Sequence, residues 1–138
     1  MMYYESIING INNAIESIAG VPVLFKENKQ HKPTDVLTPW MRTTLLPSEP
    51  MEVTIGYDRQ LRYTGIVQLD YFVPLNYGST ISDVDTIVNW FNDKDNRFIN
   101  INNIEFIVLS SWRGTSIPGD KWYQTPIYIR VQWYDGQI

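Results

Sequence analysis

Cysteine is absent from this chain, and histidine occurs once, at His31. Without cysteine there is no disulfide framework, no thiolate nucleophile and no thiolate zinc site. His31 lies between Gln30 and Lys32 in a polar stretch. No second histidine or local acidic cluster accompanies it as a metal ligand, and a Ser-His or Cys-His pair has no support. The eight glycines are scattered. Neither a dinucleotide fingerprint nor a Walker loop can be built from them. No apolar run is long enough to cross a bilayer, and Met1-Met2-Tyr3-Tyr4-Glu5 lacks the basic start of a secretory leader. A soluble chain without a cleavable leader is therefore expected.

Positive charge is also in short supply. Lys and Arg number 11 against 15 Asp and Glu, giving a net charge of −4 and a pI of about 4.8. A surface that coats nucleic acid needs clustered basic residues, so that class is disfavoured. Lys26, Lys29 and Lys32 are diluted by Glu27 and Asp35, with no interleaved aromatic for base stacking. Asp93-Lys94-Asp95 opens like a calcium loop but fails at the sixth and twelfth positions, which are Phe98 and Ile104. The carboxylate pairs Glu49/Glu52 and Asp83/Asp85 fall at a proline corner and a helix start, which explain them without catalysis. The expectation is no enzyme activity, no cofactor and no metal.

What the chain does have is apolar and aromatic bulk. Hydrophobic residues make up 43% and charged residues 19%, the balance of a folded protein. At 138 residues it is expected to be one domain spanning 1–138. A chain of this size buries roughly two-thirds of its unfolded surface. Five Trp and nine Tyr suit both a thick β core and a protein contact.

Tyr4, Ile8, Ile11, Ile15 and Ile18 recur at helical spacing and predict a helix over 4–19, ended by Gly20 and Pro22. A short strand follows at 21–25, then a polar loop over 26–39. Strands are predicted at 40–46 and 51–57, separated by Pro47 and Pro50. Over 61–73, Tyr63, Gly65, Val67, Leu69, Tyr71 and Val73 share one face, with Ile66 and Phe72 on the other, so both faces are partly covered. A second helix is predicted over 80–92, with Val84, Ile87, Val88 and Phe91 as its apolar stripe. Strands at 104–112 and 122–133 flank a loop at 113–120. The fold class is α+β: a mainly antiparallel sheet with both helices packed on one face. The opposite face must then be wet or covered by a neighbour. Trp40, Arg42, Arg62, Trp112, Arg113, Trp122 and Arg130 are the candidate contact residues, being of the types that anchor interfaces.

Four stretches stand in a distinctive order. The first is Ala19-Gly20-Val21-Pro22-Val23, followed by the corner Arg42-Thr43-Thr44-Leu45-Leu46-Pro47-Ser48-Glu49-Pro50. Next comes Tyr63-Thr64-Gly65-Ile66-Val67-Gln68-Leu69-Asp70 running to Pro74 and Gly78, and last Lys121-Trp122-Tyr123-Gln124-Thr125-Pro126-Ile127-Tyr128-Ile129. In this order they resemble the small phage tail terminator family. The acidic helix over 80–92 and the long loop over 26–39 depart from the family pattern. The resemblance implies a virion subunit, assembled in the host cytoplasm, that closes into a ring, commonly a hexamer. That ring would cap the tail tube, end its polymerisation and offer a surface to the head-side connector or stopper. DNA would pass its lumen without specific binding, and no membrane, enzyme activity or cofactor is implied. The alternatives are another neck or tail-tube component, such as a completion or head-tail stopper protein, or a small ligand-binding domain. His31→Ala and treatment with chelator are both expected to leave the thermal midpoint unchanged; metal found by elemental analysis of the purified chain would contradict this.

Overall fold

Two long strands run side by side through the middle of the molecule and set the frame for everything else. In the computed structural model they are β4 (Leu61–Pro74) and β8 (Trp122–Tyr134), paired antiparallel from Arg62↔Tyr134 to Pro74↔Trp122. The structure describes residues 4–18, 23–25, 39–47, 51–52, 61–75, 81–101, 104–119 and 122–134.

The other strands hang from this pair. β2 (Trp40–Pro47) pairs antiparallel with β4, and β1 (Val23–Phe25) pairs parallel with β2. β3 (Met51–Glu52) pairs with the start of β4. On the other side β6 (Ile104–Arg113) pairs with β8, and β5 (Phe98–Ile101) pairs with β6. β7 (Ile117–Pro118) prolongs the β6–β8 ladder. The order is β1-β2-β4-β8-β6-β5, antiparallel except at the β1–β2 edge.

Alternation along the strands decides which side is core. Tyr63, Val67, Leu69, Tyr71 and Val73 of β4 are buried on the same face as Ile127, Ile129, Val131 and Trp133 of β8. Met41 of β2 and Phe106 and Val108 of β6 join them. Two helices cover this face. α1 (Tyr4–Glu16) contributes Ile7, Ile11 and Ile15, with Ile18 just beyond it; α2 (Ile81–Asn92) contributes Val84, Ile87 and Phe91. All belong to a single apolar cluster, so both helices lie on one face of an α+β domain. Fully burying each such side chain stabilises by about 1.5–3 kcal/mol.

Polar ties fix the helices in place. Thr43 Oγ1 donates to Asn12 Oδ1 at 2.7 Å within the buried layer, so α1 is keyed to β2 by more than its isoleucines. The hydroxyl of Tyr71 donates to Asp83 Oδ2 at 2.9 Å and ties the first turn of α2 to β4. α1 contacts both β2 and β5, which are far apart in the strand order. The sheet is therefore curled, and α1 bridges its two sides.

Several elements differ from the sequence expectation. The first helix ends at Glu16, not at residue 19, and Ile7 takes the fully buried place expected for Ile8, which sits half-buried at the margin of the stripe. The strand at 98–101 was not expected: it is only four residues long and interrupted by Asn100, too short for alternation to show. The loop over 113–120 contains β7. The strand expected over 51–57 is observed as Met51–Glu52, and the rest of it lies outside the described residues, as does nearly all of the loop over 26–39.

A Cβ at Gly10 would lie 2.9 Å from Cε1 of Phe106 and 3.3 Å from Cγ2 of Ile99, so glycine permits the close approach of α1 to β5 and β6. Gly10→Val is expected to destabilise the domain by about 1–3 kcal/mol through overpacking, read from the urea midpoint. Ile15→Asp is expected to abolish the cooperative transition, because it places an unpaired charge at a fully buried site.

Candidate interaction face

The sheet face away from the helices carries the even-numbered residues of β2, β4 and β8, and its side chains fall into two groups. The first lies toward the end where β2 begins. Register places Trp40 opposite Phe72 and Arg42 opposite Asp70. Trp40 stacks on Phe72 with ring centroids 4.1 Å apart, and Trp122 meets Trp40 edge-on at 5.8 Å. The guanidinium of Arg42 lies 5.1 Å from the centre of the Phe72 ring. Trp40 is only 3% exposed, so this cluster is largely an internal stack.

Beside it sits a buried carboxylate. Asp70 is 3% exposed although it belongs to the face away from the helices. Its Oδ1 accepts from Nε2 of Gln68 at 2.9 Å and from Nε2 of Gln124 at 2.8 Å. Its Oδ2 faces Nε of Arg42 at 3.5 Å, at the long limit of a hydrogen bond. The two amides carry most of the satisfaction of this acid, because the Arg42 side chain is 53% exposed and its pairing is weakened by solvent.

The second group is open to solvent. Trp112 lies opposite Tyr128 with ring centroids 5.6 Å apart, and Arg130 places its guanidinium 5.5 Å from the Trp112 ring centre. Trp112 is 36% exposed and Arg130 is exposed. Leu46, at the far end of β2 on the same face, is 45% exposed. An irregularity in β6 creates this group. Register shifts by one between Val108 and Ser110, so Leu109 is an extra residue, a β-bulge. Without it Trp112 would share the parity of Phe106 and Val108 and point into the core. With it, Ser111 turns inward and is buried, and Trp112 turns outward. Asn92, at the end of α2, then caps the edge of β6: its Nδ2 donates to the Ser111 carbonyl at 2.9 Å and its Oδ1 accepts the Ser111 N–H at 2.8 Å.

Of the seven residues singled out from sequence, six lie on this face: Trp40, Arg42, Arg62, Trp112, Trp122 and Arg130. Arg62 is half-buried at the opposite end of β4 from Phe72. Arg113 is set apart, on the inward parity at the end of β6, where it donates to Ser116 Oγ at 2.9 Å. Sequence reasoning missed Asp70, Gln68, Gln124, Phe72 and Tyr128 as partners of these residues. An acid inside an otherwise apolar alternating strand was the available signal, since a buried carboxylate requires partners. Among the described residues no group of three or more His, Cys, Asp and Glu could hold a metal ion, and no helix is long and apolar enough to cross a membrane. The aromatic and guanidinium groups are suited to gripping a protein surface.

A family model described as phage tail terminator protein matches residues 6–133. No curated protein matches the chain. A solved structure aligns with TM-score 0.65 over 94% of this chain and 92% of its own, at 14% identity. At that identity the likeness shows the shared fold alone.

The two groups on this face are expected to respond differently to mutation. Asp70→Ala leaves two half-buried amides without their acceptor and is expected to cost about 1–3 kcal/mol of folding stability. Arg42→Ala is expected to cost less than about 1 kcal/mol, as the Arg42 side chain is half exposed and its contact with Asp70 is long. Paired urea titrations check the order, and a larger loss for Arg42→Ala would reverse the assignment.

Proposed function

The chain belongs to the phage tail terminator family, and we propose that it acts as a closed ring at the head-proximal end of the tail tube. The family makes it a structural tail protein and a virion component that works against other virion proteins. The finer role is our reading: the ring ends tube polymerisation and offers the joining surface to a head-side connector or stopper. A hexamer is the assembly this reading favours, formed without cofactor or metal.

One observation on this chain supports the reading more than any other: the pair Trp112 and Arg130, in contact with each other and exposed on the sheet face away from α1 and α2. A ring needs a heterologous contact, one patch of each copy fitting a different patch of the next. Trp and Arg are the residues that most often anchor such contacts, and each can contribute about 2 kcal/mol or more. In this reading Arg42, Arg62, Arg113, Arg130, Trp112 and Trp122 supply contacts, with Trp40 bracing them from beneath. DNA passes through the lumen without being gripped, in keeping with a net charge of −4.

Particles assembled without this protein are expected to carry tails of abnormal length, or tails not joined to heads, in electron micrographs. Normal, infectious particles in its absence would reject the role. Tails of normal length that fail to join would instead move the protein to a head-tail stopper or completion function.

A further inference from the structure

Among the described residues, the charges on the two faces are of opposite sign. Among the described residues, the helices, the turn after α2 and the inward-facing end of β6 expose Glu5, Glu16, Asp83, Asp85, Asp93 and Asp95, against Lys94, Arg97 and Arg113. The opposite sheet face carries Arg42, Arg62 and Arg130, against Asp70 and Glu105. Asp70 is buried and already met by Arg42, and Glu105 sits at the margin, on β6 opposite Asn100. Arg130 has no carboxylate partner among the described residues; its contact is the Trp112 ring.

We infer that the sheet face of one copy, centred on Trp112 and Arg130, docks on the acidic helix side of a second copy, centred on α2 and the turn that follows it. This deepens the ring reading above and rests on it. α2 packs against the inner side of β6 and β8, and Trp112 and Arg130 stand on the outer side of those same strands. The two surfaces therefore lie on opposite sides of one pair of strands, the placement a head-to-tail contact requires. Their shapes also agree in chemistry. The sheet side offers an exposed aromatic with a cation above it, and the helix side offers Asp85 and Asp95 with the polar Thr86 and Asn89 between them, all exposed. Opposite potentials steer such faces together and set their register, whereas like faces repel. Two sheet faces, or two helix sides, would bring like charges together, which favours head-to-tail association over a symmetric dimer. Docking would also cover Arg130, keeping that cation away from DNA in the lumen.

The test is charge exchange in the full chain. Two variants are made, Arg130→Glu and the double change Asp85→Lys with Asp95→Lys. Both alter exposed side chains, and circular dichroism confirms that each is folded. Self-association is followed by sedimentation at rising concentration in low and high salt. The natural chain is expected to associate, more weakly as salt rises. Each variant alone is expected to associate about tenfold or more weakly, because every contact then sets like charge against like. A one-to-one mixture is expected to recover association, since alternation restores opposite charge at every contact. A natural chain that stays monomeric at every concentration overturns the inference. So does a variant that associates as well as the natural chain, or a mixture that fails to recover. The terminator role has its own readout: Arg130→Glu particles with normal tails would remove this docking mode while leaving the role intact.

Discussion

The β4–β8 pairing is the constraint on which the rest of this molecule depends. Its register, from Arg62↔Tyr134 to Pro74↔Trp122, fixes the face of every residue on both strands. β2 and β3 inherit their faces from β4, and β6 and β7 inherit theirs from β8. A slip of one residue would send Val67, Leu69, Tyr71, Ile127 and Ile129 to the outer face and bring Arg62 and Arg130 into the core. The burial of those apolar side chains makes the slipped state costly, so the register is held by the core and not by ladder hydrogen bonds, which any register would satisfy equally well.

From that pairing the position of α1 follows. A curled sheet offers a concave side, and α1 lies across it in contact with both β2 and β5. Three sequence features suit it to that place. Ile7, Ile11 and Ile15 recur every fourth residue and give a narrow buried ridge. Gly10 lets the helix backbone come within touching distance of Phe106. Asn12, a poor helix former, is retained at a buried site where its side chain meets Thr43. The intrinsic helix preference of this segment is weak, and tertiary contact supplies what it lacks.

Much of this was legible in the chain. The odd-numbered stripe of β4, the stripe of β8 and both helix faces could be read directly, because each extends over enough residues for its period to show. β5 could not, since four residues carry too little pattern, although the Asn102-Asn103 step between two apolar runs was a hairpin signal. Ile8 packs against the core as its spacing implies, but only half-buried; that Ile7 is buried more deeply depends on a helix rotation set by contacts with Phe106 and Thr43, which are distant in sequence. The candidate face was legible in its arginines and tryptophans and illegible in its wiring. Asp70 meets Gln124 across 54 positions of sequence, and no local pattern encodes such a meeting. Trp112 is the sharpest case. Simple alternation with Phe106 and Val108 would have buried it, and only the extra residue in β6 turns it outward.

That extra residue links curvature to contact. A bulge bends its strand and increases local twist, so the irregularity at Leu109 helps β6 to follow the curl of the sheet around α1. It also reverses the faces of everything after it, burying Ser111 beside Asn92 and exposing Trp112 beside Arg130. Deleting the bulge would flatten the strand and withdraw the exposed ring in one step. The shape of the subunit and the side chains it presents are thus governed by the same local device. For a subunit that must meet copies of itself at a fixed angle, that coupling has a physical use: the curl sets the direction of the outer face, and the residues on that face come into place only when the curl has formed.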